Sequence, residues 1–148
     1  MNSLQERLAE LGHTLPPVAA PVANYLHHTI GSGELLVISG QIGHPGLGAG
    51  LDADAARAQA EDAALRLLAV LDAAVGGDVT RIRQVLRLGV FIAATPDFEQ
   101  HSQVADGASD LVVAALGERG RHARAAVGVA SLPAKAAVEV DALVWVRP

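Results

Sequence analysis

From about Asp54 to Val75, apolar residues return at steps of three and four: Ala56, Ala60, Ala64, Leu67, Leu71 and Ala74. That period predicts a helix with one buried stripe, ended by Gly76-Gly77. The stretches flanking it are patterned for strands. Asn24–Ile30 and Glu34–Gln41 are strand-like runs split by the hairpin signal Gly31-Ser32-Gly33. The second run is apolar from Leu35 through Ile38, which predicts a central strand covered on both faces. In Arg81–Ala93 the alternation places Ile82, Leu86, Leu88, Val90 and Ile92 on one face, with Arg81, Arg83, Val85, Arg87, Gly89 and Phe91 on the other.

A second long helix is predicted from near Thr95-Pro96-Asp97 to about Leu116, with Gly107 weakening its middle by roughly 1 kcal/mol relative to Ala. Two final strands follow, about Ala123–Ala130 and Ala137–Val146. At the other end, Ser3 and Glu6 make a capping box for a short helix over residues 4–11, closed by Gly12. Pro16, Pro17 and Pro21 then demand an extended connector. After the leading helix the order is β-β-α-β-α-β-β. It predicts an α+β fold: a mixed sheet with both long helices on one face and the other face left open.

At 148 residues the chain is expected to be a single domain, residues 1–148. Half of it is hydrophobic and only 3% aromatic, so the core must be built from Ala, Val and Leu. In the last strand the face opposite Val138, Val140, Ala142, Val144 and Val146 carries Glu139, Asp141, Leu143, Trp145 and Arg147. That mixture suits a subunit interface lining a site better than open solvent, and a homo-oligomer is expected. A net charge of −5 argues against nucleic acid as a partner. With no cysteine, the chain offers neither disulfide nor thiolate. No apolar run is long enough for a membrane span, and Met1–Glu10 is too polar for a signal peptide, which predicts a soluble cytoplasmic protein.

Several chemical signals are weak. Gly43, Gly46, Gly48 and Gly50 lack both the dinucleotide spacing and a phosphate-binding lysine, so they predict a plain loop. The six histidines show no metal-ligand spacing, and neither a metal nor an organic cofactor is expected. Arg81, Arg83 and Arg87 share a face and fit a stripe paired with acidic residues better than an anion site. The strongest signal is Arg121–Val140. It places Arg124 and Glu139 on two strands joined by a turn containing Leu132-Pro133, so the two charges could face one pocket. Arg124 shares its face with Ala126, Gly128 and Ala130, small residues that leave a hollow beside a guanidinium able to bind a carboxylate. On residue chemistry alone, a ligand site and an internal Arg124–Glu139 salt bridge fit equally.

The same segment resembles the C-terminal signature of the Rid/YjgF (endoribonuclease L-PSP-like) family. Arg124, Leu132-Pro133 and Val138-Glu139-Val140 match its pattern, and Ile38-Ser39-Gly40-Gln41-Ile42 is similar to its Ser-Gly-Gln strand end. Tyr25 falls within about one residue of the family's N-terminal tyrosine. Glu6–Gly12, Leu15-Pro16-Pro17 and Gly107–Pro133 resemble a divergent branch.

The resemblance implies a chorismate-mutase-like homotrimer with sites in clefts between subunits. It implies hydrolytic deamination of small reactive enamines or imines such as 2-aminoacrylate, without a cofactor. Arg124 would hold the substrate carboxylate, aided by Ser39 and Gly40; Glu139 would position water, and Tyr25 would close the pocket. Two departures stand out: Ala126 where many deaminating members carry cysteine, and His122 where proline is usual. The missing thiol keeps a second reading open, a non-catalytic trimer binding small carboxylate metabolites. Endoribonuclease activity is the third. The roles of His122 and His44 are open at this stage.

Overall fold

Ser3 starts the first helix of the computed structural model, which describes residues 3–148. Its hydroxyl accepts the Glu6 N–H at 3.1 Å while the Glu6 carboxylate accepts the Ser3 N–H at 2.8 Å, the reciprocal capping expected. This helix, α1 (Leu4–Glu10), buries Leu4 and Leu8 and packs on a later helix. The rest follows as β1 (His28–Gly31), β2 (Leu35–Ile42), α2 (Ala53–Ala74), β3 (Ile82–Ala93), α3 (His101–Leu116), β4 (Ala123–Val129) and β5 (Val138–Val146). Single 3₁₀ turns sit at Val79–Arg81, Gly117–Gly120 and Pro133–Lys135.

The strands form one sheet in the order β1-β2-β5-β3-β4. Among the described residues only β3 and β4 run parallel. A parallel pair needs a long crossover, and α3 supplies it, so β4 lies against β3 at the sheet edge. The chain then passes over β3 to enter β5, which is antiparallel to both β2 and β3. Strands β4 and β5 are therefore not neighbours. This corrects the expectation, drawn from the short turn between them, that they pair side by side.

One face of the sheet carries α2 and α3. Leu36, Ile38, Val85, Leu88, Val90, Ile92, Val138, Val140 and Val144 are buried beneath them together with the Ala and Leu stripe of α2. No polar or charged residue is buried, and no aromatic side chain enters the fully buried set among the described residues. Gly107 belongs to this packing. A Cβ there would collide with the Arg57 carbonyl of α2, so the glycine lets the two helices close on each other.

The other face is open in the single chain. Leu35, Val37, Val127 and Trp145 are about two-fifths exposed on it, so β2 is covered on one face and not on both. In β3 the register shifts between Ile82 and Gln84 and again between Val85 and Arg87. Each irregularity turns the following residues over, so Val85 is 2% exposed in the core and Leu86 is 40% exposed, the reverse of a strict alternation. Strand β1 begins at His28, later than expected, and α3 begins at His101. The chain around Pro96 instead forms a turn closed by a Phe98 N–H to Thr95 C=O bond of 3.1 Å.

Candidate active site

Arg124 lies on β4 directly across from Leu88 of β3, which in turn faces Ala142 of β5. Residues opposed across strands point to the same side, and Leu88 and Ala142 are buried under the helices. Arg124 therefore points to the helix side, where α3 receives it. Its Nη1 donates to Asp106 Oδ1 at 2.9 Å and to Ser109 Oγ at 3.0 Å; Nη2 donates to Ser102 Oγ at 2.9 Å and Ser102 O at 3.4 Å. Ser102, Asp106 and Ser109 follow at steps of four and three, one polar stripe along the helix. That spacing was present in the sequence, but it acquires meaning only once α3 is laid against β4. Ala126, two residues along, is half-buried on the same side.

Glu139 stands on the opposite face. It pairs across with Phe91, which pairs with Val127, 45% exposed on the open side. It also faces Ile42 of β2 beside an irregularity between Ile38 and Gln41. Within that irregularity Gly40 leaves the room the carboxylate occupies, since a Cβ there would collide with it. Burial pushes the Glu139 pKa above the ordinary carboxylate range, and the nearby Asp141 charge pushes it the same way. Asp141 repeats the device one step along β5, seated over Gly89 and 3.6 Å from Arg87.

Ser39 and Tyr25 belong to the Glu139 side of the sheet order. The Ser39 hydroxyl donates to Leu26 O at 2.6 Å, and its N–H to His27 O at 2.8 Å, tying the segment before β1 to the end of β2. Tyr25 meets the His27 ring edge-on at 6.1 Å and is 43% exposed. The fold thus gathers Tyr25, Ser39, Gly40 and Glu139 along β1, β2 and β5, and Arg124 with Ala126 at the β4 edge. It does not bring the two groups together within one chain, and no Arg124–Glu139 salt bridge forms.

The other candidates find plainer roles. Gly46 and Gly48 donate their N–H groups to Ala134 O and Lys135 O, so the glycine loop is pinned to the Pro133–Lys135 turn and no phosphate cradle forms. Arg81 donates to Arg147 O and Val75 O, Arg83 lies 5.1 Å over the Trp145 ring, and Arg87 faces Asp141, the acidic pairing expected for this face. The His44 N–H donates to Gln59 Oε1 of α2, and its ring Nδ1 lies 2.8 Å from the Pro45 carbonyl oxygen. His122 reaches Ser109, a contact that periodicity alone did not suggest.

A protein-family model described as Endoribonuclease L-PSP matches residues 17–146. The chain belongs to this family, also known as Rid/YjgF. Protein TCP17 of Trypanosoma cruzi is 45% identical over 146 residues, covering 93% of this chain and 90% of that protein. Among solved Rid/YjgF-like folds, the Agrobacterium tumefaciens protein Atu1372, of unknown function, superposes with a TM-score of 0.88 at 44% identity, over 97% of this chain and 92% of that one. RidA from the Antarctic bacterium Psychrobacter sp. PAMC 21119 gives 0.60 at 27% identity, covering 89% and 94%. Rid/YjgF membership accounts for the α+β sheet with its helices on one face.

Proposed function

We propose that the protein hydrolyses small reactive enamines and imines, 2-aminoacrylate being the simplest, at a site completed where two copies meet. The observation that carries this is the seat of Glu139: a half-buried carboxylate over Gly40, its pKa raised by burial, on a mixed apolar and charged face that one chain leaves uncovered. Burial that raises its pKa makes this carboxylate a better base toward water than an ordinary exposed one. An imine carbon is already electrophilic, so binding, water positioning and proton transfer suffice.

Because Arg124 lies on the other face, it would come from one copy and Glu139 from the next, in a homotrimer whose open sheet faces cover one another. Four of the five Arg124 N–H donors are held by α3, which leaves Nε–H free. A substrate carboxylate binding along the Nε–Nη2 edge would use that donor and displace Ser102. Ser39, Gly40 and Tyr25 would wall the Glu139 side, and Ala126 the Arg124 side.

A dehydratase that generates 2-aminoacrylate in situ, with keto-acid release followed over time, tests the proposal. Acceleration over buffer that is lost in Arg124→Ala and in Glu139→Gln is expected. Wild-type release no faster than buffer alone defeats it.

Ala126 favours one second reading, a carboxylate-binding trimer without turnover, since the thiol of many deaminases is absent. It predicts Arg124-dependent binding of 2-oxo acids and no deamination. Ribonuclease chemistry fits least, because a chain of net charge −5 is poorly suited to neutralising a phosphate backbone.

A further inference from the structure

Between α3 and the start of β4 lies an open cleft of about 600 Å³ lined by Ser109, Asp110, Arg121, His122 and Arg124. Two of these form a hydrogen-bonded pair that the roles given above leave unused. His122 Nε2 is 2.8 Å from Ser109 Oγ, and its Nδ1 faces the Gly120 carbonyl at 2.5 Å. A carbonyl only accepts, so Nδ1 must carry a proton. The proton that His122 gains and loses is therefore the one on Nε2, the nitrogen aimed at Ser109. The Ser109 oxygen in turn accepts a bond from Arg124 Nη1 at 3.0 Å. Gly120 carbonyl, His122 imidazole, Ser109 hydroxyl and Arg124 guanidinium thus form one hydrogen-bonded chain beside the cleft.

We infer that Ser109 and His122 are the acid–base pair of the Arg124 cleft, Ser109 meeting the substrate and His122 holding the proton. The inference rests on the deaminase reading and deepens it. Glu139 lies on the far face of its own chain; on the Arg124 side Asp106 is bound to Arg124 and Asp110 to Arg57, which leaves the Ser109–His122 pair for proton transfer. His122, two residues before Arg124, brings an imidazole to Ser109, the hydroxyl that the guanidinium also holds.

The proton count closes over one turnover. As water oxygen bonds to the imine carbon, Glu139 of the adjoining copy takes the water proton. The C=N π electrons move to nitrogen, which is protonated from His122 through Ser109, giving a carbinolamine. Then the C–N bond breaks with its electron pair on nitrogen, Glu139 returns its proton to that nitrogen, and ammonia leaves. The hydroxyl proton passes through Ser109 to His122 as the carbonyl forms. Both side chains end as they began. The charged groups around the imidazole are Asp106 and Asp110 from α3, Glu118 from the 3₁₀ turn, and Arg121 and Arg124. They carry opposite signs and are partly paired with one another, Arg124 with Asp106 and Arg121 with Glu118.

The test is keto-acid release from 2-aminoacrylate across pH, for wild type, Ser109→Ala, Ser109→Thr and His122→Asn. A kcat loss of about 100-fold with KM nearly unchanged is expected for Ser109→Ala and His122→Asn, with recovery in Ser109→Thr. His122→Asn should also erase the alkaline limb of the pH profile, which a merely structural contact would leave in place. Variants that keep wild-type kcat and profile, while Arg124→Ala is inactive, overturn the pair and spare the deaminase. In parallel, the His122 ring resonances are titrated with pyruvate. If wild type shows no turnover, the deaminase reading falls and the pair is judged by this titration. A pyruvate-induced shift that Ser109→Ala abolishes sustains the ligand contact; no shift overturns it.

Discussion

Arg124 and Glu139 occupy opposite faces of one five-stranded sheet, with β3 between their strands. No rotamer of either side chain crosses a sheet. A site that uses both must draw them from different copies, and this yields a complementation experiment. Arg124→Ala and Glu139→Gln, each inactive alone, should regain activity when co-expressed, because some interfaces then join an intact arginine to an intact glutamate. Random assembly around a closed ring predicts about one quarter of wild-type turnover. Mixed assemblies as inactive as either parent would rule out the composite site.

Gly40 and Glu139 share one small volume. In Gly40→Ala the new methyl group meets the far end of a flexible side chain, so the carboxylate yields and the strand does not. Stability should change by less than about 1 kcal/mol. If Glu139 positions water as proposed, displacing it should nevertheless lower turnover by about 100-fold. Thermal melts run beside turnover assays separate the two effects.

Gly107 reverses the usual rule for glycine inside a helix. Helix propensity alone predicts that Gly107→Ala stabilises by about 1 kcal/mol. The added methyl group would collide with the Arg57 backbone carbonyl, which cannot swing aside. Overpacking of this kind costs about 1–3 kcal/mol, so a net loss of stability is expected in denaturant unfolding. A stabilised variant would show that α2 and α3 can separate freely.

The Glu139 pKa is raised in the folded chain, first by burial and then by Asp141. Between the ordinary carboxylate range and the raised value, the folded state binds more protons than the unfolded one. Stability contributed at this position therefore falls as pH climbs through that window. Glu139→Gln should melt higher than wild type at neutral pH, with the difference shrinking as pH drops below the ordinary range. Parallel melting curves at all pH values would place the carboxylate in bulk-like solvent.

Leu143 and Val127 mark the open sheet face. The proposed trimer predicts that a charge beside the apolar residues of this face, as in Leu143→Arg or Val127→Asp, yields monomers and abolishes turnover together. Sedimentation checks it: a wild type that is itself monomeric at working concentration defeats both the trimer and the intersubunit site.

How much was legible in the sequence follows from the range of each interaction. The Ser3–Glu6 cap, the 3.6-residue stripe of α2 and the two-residue alternation of β5 are set within a few positions, and periodicity exposes them. The motif around Arg124 and Glu139 is legible for the same reason: its residues lie close together along the chain. Which strands become neighbours depends on crossover paths, and local pattern does not encode them. A short turn suggested that β4 and β5 pair, whereas the parallel β3–α3–β4 unit puts β3 between them. Likewise, two register shifts in β3 exchange Val85 and Leu86 between core and surface, because pairing with β5 overrides strict alternation. Residue types on their own determined the helices, most strand positions and the identity of the charged groups. Only tertiary structure decided that Arg124 is held by α3 and that Glu139 lies on the far face, because face and neighbour are set by contacts between segments distant in sequence.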